Sequence, residues 1–393
     1  MDSIEPCIAD TRENAQSLTW AHCIPTVNRI DILKVAVACS IAQTRPPREI
    51  IVVSASENWE RDRDELRQIV KGHDINLIVV AADVRSSAVQ RNQALKHVTS
   101  DIVLFTDDDS LVFPDFADEM MKIYERDQER KIAGVGGHNV SELPPVAKAV
   151  MEGVVACLKE DPLSNALEKK NAGNRGSAIA VAFFENNGAT WRWFRRNVLM
   201  MSMETMFVPY DKKRSSVTIR LDQVRDVVGH DSSVRDYMPG YAMSVRTQIA
   251  RDEPFNPFLL AYCPLEDLDA TYRFGRHGCC VISRKSRLNH YEVAASRVTR
   301  KLATSLGISN MALFIYTNSN DLRWHKVKFG IYVLRRLIGE TIKDVGSKRF
   351  DLPQARGVLG AIPVSIGIFR RPFAKANLWY VDRQREMLAS ARR

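Results

Sequence analysis

The first third of the chain alternates short apolar runs with longer amphipathic ones. Leu18–Pro25 reads as a strand, and Ile30–Gln43 repeats apolar residues at helical spacing (Ile30, Leu33, Val37, Ile41). Glu49–Ser54 (EIIVVS) is almost wholly apolar and rich in β-branched residues, as a parallel strand covered on both faces must be. A charged helix follows over Asn58–Lys71, a second buried strand over Ile75–Ala81 and a helix over Ser86–His97. Asp101–Phe105 is a strand, Pro114–Glu129 a helix with proline at its start, and Lys131–Val135 a fifth strand. Strand–helix alternation at this spacing predicts an α/β domain with a mostly parallel sheet and right-handed crossovers.

From His138 to Tyr237 the periodicity fades. One helix is expected at Val146–Glu160, followed by Gly- and Asn-rich stretches and a basic, Met-rich segment. Order returns at Met238, and after Tyr291 the pattern is helical to the end. Arg323–Asp344 spaces Trp324, Val327, Ile331, Leu334, Ile338 and Ile342 by three or four residues, with Lys326, Lys328, Arg335, Arg336 and Lys343 between them. The expected organisation is a tail (1–17), a first α/β half (18–138), an insert (139–237), a second α/β half (238–291) and a helical, basic C-terminal region (292–393).

The composition, 45% apolar and 26% charged, is that of an ordinary folded protein and excludes dominant disorder. No apolar run reaches the ~18 residues needed to cross a bilayer. Met1–Arg12 carries Asp2, Glu5 and Asp10 and lacks the pattern of a secretory signal. Seven cysteines, five scattered and two adjacent, without CxxC spacing fit free thiols in a reducing cytoplasm. His277 beside Cys279 and Cys280 lacks the second ligand pair that zinc needs. Charge changes the picture more. Between Tyr291 and Arg393 there are 19 Lys and Arg against 7 Asp and Glu, whereas the first 290 residues carry a net −3. A basic appendage on a nearly neutral body predicts an anionic partner surface.

In an open parallel sheet, ligands bind beyond the carboxyl ends of the strands. The fourth predicted strand ends in Thr106-Asp107-Asp108-Asp109-Ser110. Three adjacent carboxylates repel unless a cation or donors satisfy them, and a hard divalent ion shared with a substrate diphosphate would do so. The plainer alternative is a solvated turn in which Asp109 or Ser110 caps the next helix. Glu266-Asp267, at the head of another predicted helix, likewise suits either catalysis or the helix dipole. Arg273 is placed to pair with Asp269 one turn back. Gly134-Val135-Gly136-Gly137 has the wrong spacing for a dinucleotide loop.

Taken together these segments resemble family two glycosyltransferases of the GT-A fold, which is Rossmann-like. DIVLFTDDDSLVFPDF resembles their DXD segment. IPTVNRIDILKVAVACSIAQTRPPREIIVVSAS resembles their opening strand–helix–strand, with Asn28-Arg29, Gln43 and Pro47. Arg91-Asn92 resembles the RN of their next helix, and MPGYAMSVR their acceptor-side loop. PLEDLDATYRFGRHGCCVISRKSRLNHYE resembles their Glu-Asp segment, closed by His290. The resemblance implies that Pro25, Asn28, Arg91, Asp107 and Asp108 bind the nucleotide-sugar, that Asp109 and His290 bind Mn²⁺ or Mg²⁺, and that Asp267 is the catalytic base with Glu266 beside it.

It further implies a hexosyltransferase acting on a glycan or lipid-linked acceptor, as in polysaccharide biosynthesis, with inversion. Two departures stand out. Ser54 occupies the place of the family's usual acidic residue after the second strand, with Glu57 three residues on, which leaves the donor base unspecified. The QxxRW segment of processive synthases is absent, which argues for one sugar per encounter. The rivals are a non-catalytic nucleotide-sugar or glycan-binding protein and a nucleotidyltransferase. The latter lacks its Gly-rich basic loop, since Pro25-Thr26-Val27-Asn28-Arg29 stands there. The basic C-terminal helices either pack their apolar stripe on the core with solvated charges, or attach the protein peripherally to the inner face of an anionic membrane, or both. No nucleic-acid module accompanies the charge.

Overall fold

The computed structural model describes residues 17–157, 221–261, 263–293 and 298–391. The first half runs β1 (Trp20–Thr26), α1 (Ile30–Ile41), β2 (Glu49–Ser54), α2 (Trp59–Val70), β3 (Asn76–Ala81), α3 (Ser87–Leu95), β4 (Ile102–Phe105), β5 (Ser110–Val112), α4 (Phe116–Arg126), β6 (Ile132–Asn139) and α5 (Pro145–Cys157). These are the elements the periodicity predicts, with ends shifted by a few residues and β5 added. The expected helix end beyond residue 157 lies outside the described residues. The chain resumes with a 3₁₀ turn (Leu221–Gln223), α6 (Arg225–Val228), β7 (Ser232–Arg235), β8 (Met243–Arg246), α7 (Thr247–Asp252), α8 (Glu266–Phe274) and β9 (Cys279–His290). Four helices close it: α9 (Arg300–Asn318), α10 (Leu322–Gly346), α11 (Pro353–Arg370) and α12 (Phe373–Ser390).

The strands form one sheet in the order β3-β2-β1-β4-β8-β6-β9-β5, with β7 also on β9. β1 to β4 are mutually parallel, and β6 and β9 run the same way. The antiparallel β8 sits between β4 and β6, so strands of 18–138 and of 238–291 interleave. Burial explains the continuous apolar run of β2. Ile50 and Val52 join Leu33, Val37 and Leu66 under α1 and α2, while Ile51 and Val53 face Ala88, Ala94 and Leu95 of α3. The helices α9, α11 and α12 extend this second layer, contributing Met311, Phe314, Val358 and Tyr380 to the same core. The GVGG stretch lies within β6, where a Cβ on Gly137 would come within 2.5 Å of the Phe116 ring; these glycines serve close packing.

The C-terminal region is helical, but α10 does not bury the stripe its spacing suggests. Trp324, Val327, Ile331, Leu334 and Ile338 face outward, and Ile342 is half-buried. The opposite face packs instead. Phe329 meets Phe369 edge to face at 5.4 Å, and the buried Glu340 pairs with Arg336 at 2.8 Å and accepts from Gln354 at 2.7 Å. Asp344, also buried, caps α11 by accepting from the Gln354 and Ala355 N–H groups at 2.8 and 3.1 Å. Capping contacts of this kind satisfy orphan helix donors. They fix which face of α10 turns inward.

Candidate active site

The aspartate triplet leaves the carboxyl end of β4, and every partner of it comes from a different element. Asp108 is buried against the end of β1 and the start of α1: its Oδ2 accepts from Thr26 Oγ1 at 2.7 Å, and its Oδ1 lies 2.9 Å from an Arg29 guanidinium nitrogen. Burial raises its pKa to about 6, against the opposing pull of Arg29. Asp109 is also buried. Its Oδ2 accepts from the Val293 N–H at 2.9 Å and faces Arg29 at 3.5 Å, while its Oδ1 lies 3.2 Å from His290 Nε2. Burial works against ionisation of Asp109, but the His290 hydrogen bond and charge and then Arg29 outweigh it, and its pKa falls. His290 is raised in turn, since Asp109 and Asp107 overcome its own burial. Asp107 is the open member, its side chain 40% exposed.

Sheet register brings His290 here. β5 and β9 pair antiparallel with Ser110 opposite His290, so the imidazole lands beside the residue preceding Ser110. Tyr241 stacks on the ring at 4.6 Å and 18°. Asp107, Asp109 and His290 offer one ligand atom each within 4.8 Å of one another, and form the one such cluster among the described residues. Two carboxylate oxygens and an imidazole nitrogen suit Mn²⁺ or a similar hard ion with open positions. His277 faces Glu253 at 3.4 Å, apart from any such cluster.

The acid pair heads α8, as its sequence predicts. The approach is unusual: Ala261, Cys263 and Leu265 all take positive φ (59°, 43° and 73°). Strained non-glycine residues of this kind persist only where their surroundings hold them. The C-terminal helices supply that hold. Gln384 of α12 donates to the Phe258 carbonyl at 2.7 Å and accepts from the Leu260 N–H at 2.9 Å, and Asn310 of α9 donates to the Pro264 carbonyl at 2.7 Å. Asp267 then accepts three hydrogen bonds, from Tyr237 Oη at 3.0 Å, the Gly240 N–H at 2.9 Å and the Leu268 N–H at 2.8 Å, which fix its orientation. Burial, and then the Asp267 charge, drive the Tyr237 hydroxyl well above its ordinary pKa, so it stays a donor.

Arg91 stands behind this wall. It is buried under the Phe255 ring and donates to Glu266 at 2.5 Å, to Asp107 at 2.8 Å and to the Gly240 carbonyl at 3.0 Å. Burial raises the Glu266 pKa although Arg91 opposes it. Space is tight at Gly240: a Cβ there would lie 3.1 Å from Asp267 Cβ and 3.3 Å from the Arg91 guanidinium, so any larger residue would push on one of them.

These groups surround one cavity of about 690 Å³. Of the residues singled out from sequence, Pro25, Asp107, Asp108, Glu266, Asp267 and His290 line it. Asn28, Arg91 and Asp109 do not. Asn28 is exposed in a left-handed conformation (φ 51°), its N–H donating to Ser56 Oγ at 2.7 Å; Arg91 is buried behind the wall, and Asp109 is buried beside His290 in the ligand cluster. Gln43 is structural, tying the Phe113 carbonyl at 2.7 Å to the Ala117 N–H at 2.9 Å. Arg273 pairs with Asp269 at 2.9 Å as expected. Sequence reading gave no role to Arg29, Tyr237 or Tyr241, although all three lie in or beside the quoted segments. The wall is completed by Val298, Thr299 and Leu302 at the head of α9 and by Leu388 and Ala391 at the end of α12, for which the sequence carries no signal.

Residues 22–144 match the family model described as glycosyl transferase family 2. No curated protein matches the chain significantly. Among solved structures, S. aureus TarS (1–349) is 14% identical, covering 95% of this chain and 91% of that one with a TM-score of 0.45. The mannosyltransferase PcManGT from Pyrobaculum calidifontis, in complex with GDP-Man and Mn²⁺, is 12% identical over 96% and 87% with a TM-score of 0.45. GalNAc-T7 with UDP, GalNAc and Mn²⁺ is 12% identical over 90% and 58% with a TM-score of 0.48. The family assignment therefore rests on the sequence match. Residues 22–144, which include the aspartate triplet and Arg91, are a glycosyl transferase family 2 domain, and the protein is a glycosyltransferase.

Proposed function

We propose that this enzyme moves one sugar per encounter from a nucleotide-sugar to the hydroxyl of a glycan or lipid-linked acceptor, with inversion, in a metal-dependent reaction. The observation that carries the reading is the convergence on one cavity of Asp107, His290 and an oriented Asp267. Asp107, Asp109 and His290 would hold Mn²⁺ or Mg²⁺, which when bound would offset the negative charge of the departing diphosphate. Pro25 lies at the strand end where the nucleotide would seat, with Asp107 reaching its ribose. Asp108 is spent on Thr26 and Arg29, so its contribution to donor binding is to set the turn. Asp267 takes the proton of the acceptor hydroxyl as that oxygen bonds to the anomeric carbon and the bond to the diphosphate breaks. Glu266 and Arg91 hold the base and Asp107 in register. The division into a donor half (18–138) and an acceptor half (238–291) fits this arrangement, as does a cytoplasmic setting where nucleotide-sugars are made available.

Thermal unfolding with UDP, GDP, CMP and their sugar conjugates, each with Mn²⁺, Mg²⁺ or chelator, tests the reading. A ligand at ~100 times its dissociation constant adds about 2.7 kcal/mol to stability. One nucleotide class should stabilise the protein only with metal, and Asp109→Ala should abolish the effect. Asp267→Asn should keep it while turnover of the same donor falls by ~10²-fold or more. No stabilisation under any condition, or full turnover by Asp267→Asn, would defeat the reading.

A further inference from the structure

The outward face of α10 is apolar along the whole helix. Trp324, Val327, Ile331, Leu334, Ile338 and Val345 recur at intervals of three, four or seven residues, and Trp324 and Leu334 are 53% and 59% exposed. Exposed apolar stripes of this extent mark contact with another apolar phase. The charges say which. Arg323, Lys326, Lys328, Arg335, Arg336 and Lys343 are all at least partly exposed, while both acids of the helix, Glu340 and Asp344, are buried against α11. Every charge that α10 shows to solvent is therefore positive. Lys328 and Arg335 follow Val327 and Leu334 by one residue and border the stripe at 100° per residue; the Lys328 ammonium lies 5.5 Å from the Trp324 ring centre.

We infer that α10 docks the enzyme on an anionic lipid bilayer, lying in the interface with the stripe among the acyl chains and the Lys and Arg side chains among the headgroups. An apolar face bordered by cations, with an interfacial tryptophan, is the pattern of a helix that lies on a membrane. A second copy of the chain fits less well, because pairing the stripe with itself would place Lys328 and Arg335 beside their own copies with no exposed acid on the helix to meet them. The 25-residue α10 carries too many charges to span, and no described helix is long and apolar enough to cross a membrane. This inference does not depend on the transfer chemistry.

Flotation of the full chain with vesicles tests it, using phosphatidylcholine alone and phosphatidylcholine with about one third phosphatidylglycerol. The wild type should float with the anionic vesicles and much less with the neutral ones. Ile331→Glu with Leu334→Glu should lower the partition coefficient at least tenfold, and Lys328→Gln with Arg335→Gln about twenty-five-fold on anionic vesicles only, at roughly fivefold per cation. Both pairs are at the surface, and unchanged melting curves would show that folding is intact. Failure of the wild type to float, equal flotation on both vesicle types, or undiminished flotation of the Ile331/Leu334 variant would overturn the proposal. So would a dimer in sedimentation that the Ile331/Leu334 variant dissociates while vesicle binding is absent.

Discussion

At the scale of single residues, the join between β1, α1 and the end of β4 depends on a neutral histidine. His22 of β1 is fully buried, its Nδ1 2.6 Å from Ser40 Oγ and its Nε2 2.8 Å from Thr106 Oγ1. Ser40 already donates to the Ala36 carbonyl at 3.1 Å, so its oxygen accepts from Nδ1–H and Nε2 accepts from Thr106. Burial lowers the His22 pKa to about 3. Unfolding raises it to the ordinary value, so below pH ~6.5 the unfolded chain binds one proton more than the folded one and stability falls with pH. His22→Gln should flatten the slope of unfolding free energy against pH by about 1.4 kcal/mol per unit between ~6 and ~4. Chemical denaturation across that range measures it, and an unchanged slope would mean that His22 is charged or wet. None of this was visible in the sequence, where His22 is one residue in an apolar run. The site itself was more legible. Asp107, Asp108, Glu266, Asp267, Pro25 and His290 lie on the cavity, because strand ends and motif order locate residues along the chain. Arg91 and Asp109 do not line the cavity: Arg91 is buried behind its wall, and Asp109 is buried with one oxygen turned to His290 in the ligand cluster, since pattern cannot reveal the direction of a side chain.

At the scale of elements, Arg91 is the junction. From α3 it reaches the turn after β4, the loop before β8 and the head of α8, so four segments that are remote in sequence share one guanidinium. Removing one member of a buried ionic cluster costs about 3–5 kcal/mol, because the opposite charges are left without a partner. Arg91→Met should destabilise the protein by that amount, and Arg91→Met with Glu266→Gln should recover part of it. Urea unfolding decides this; a loss below ~1 kcal/mol would show that the cluster is wet or relaxed. Element assignment from sequence was strong where burial is two-sided, as in β2, and failed where pairing is distant. β9, with the polar run Ser283–Ser286, finds its place only through β6, β5 and β7. The stripe on α10 was seen correctly as a stripe. Periodicity says that apolar residues share a face, but not whether the protein covers it, and the buried Glu340 and Asp344 decided that.

At the scale of the molecule, the C-terminal helices are part of the site rather than an appendage. They wall the cavity through Leu302 and Leu388 and hold the strained loop before α8 through Gln384 and Asn310. A chain ending at Glu292 should therefore aggregate or elute as a swollen species in size-exclusion chromatography, and lose metal-dependent nucleotide binding. A compact monomer that still bound nucleotide would separate the bundle from the site. The interleaving of strands has a consequence for synthesis. β6 emerges from the ribosome about a hundred residues before β8, the strand that joins it to β4. At ~5–20 residues per second that is a wait of roughly 5–20 s, during which β4 and β6 present unpaired edges. The nascent chain should for that interval be a substrate for chaperones that recognise exposed strands, and slow codons between residues 140 and 240 would prolong its exposure.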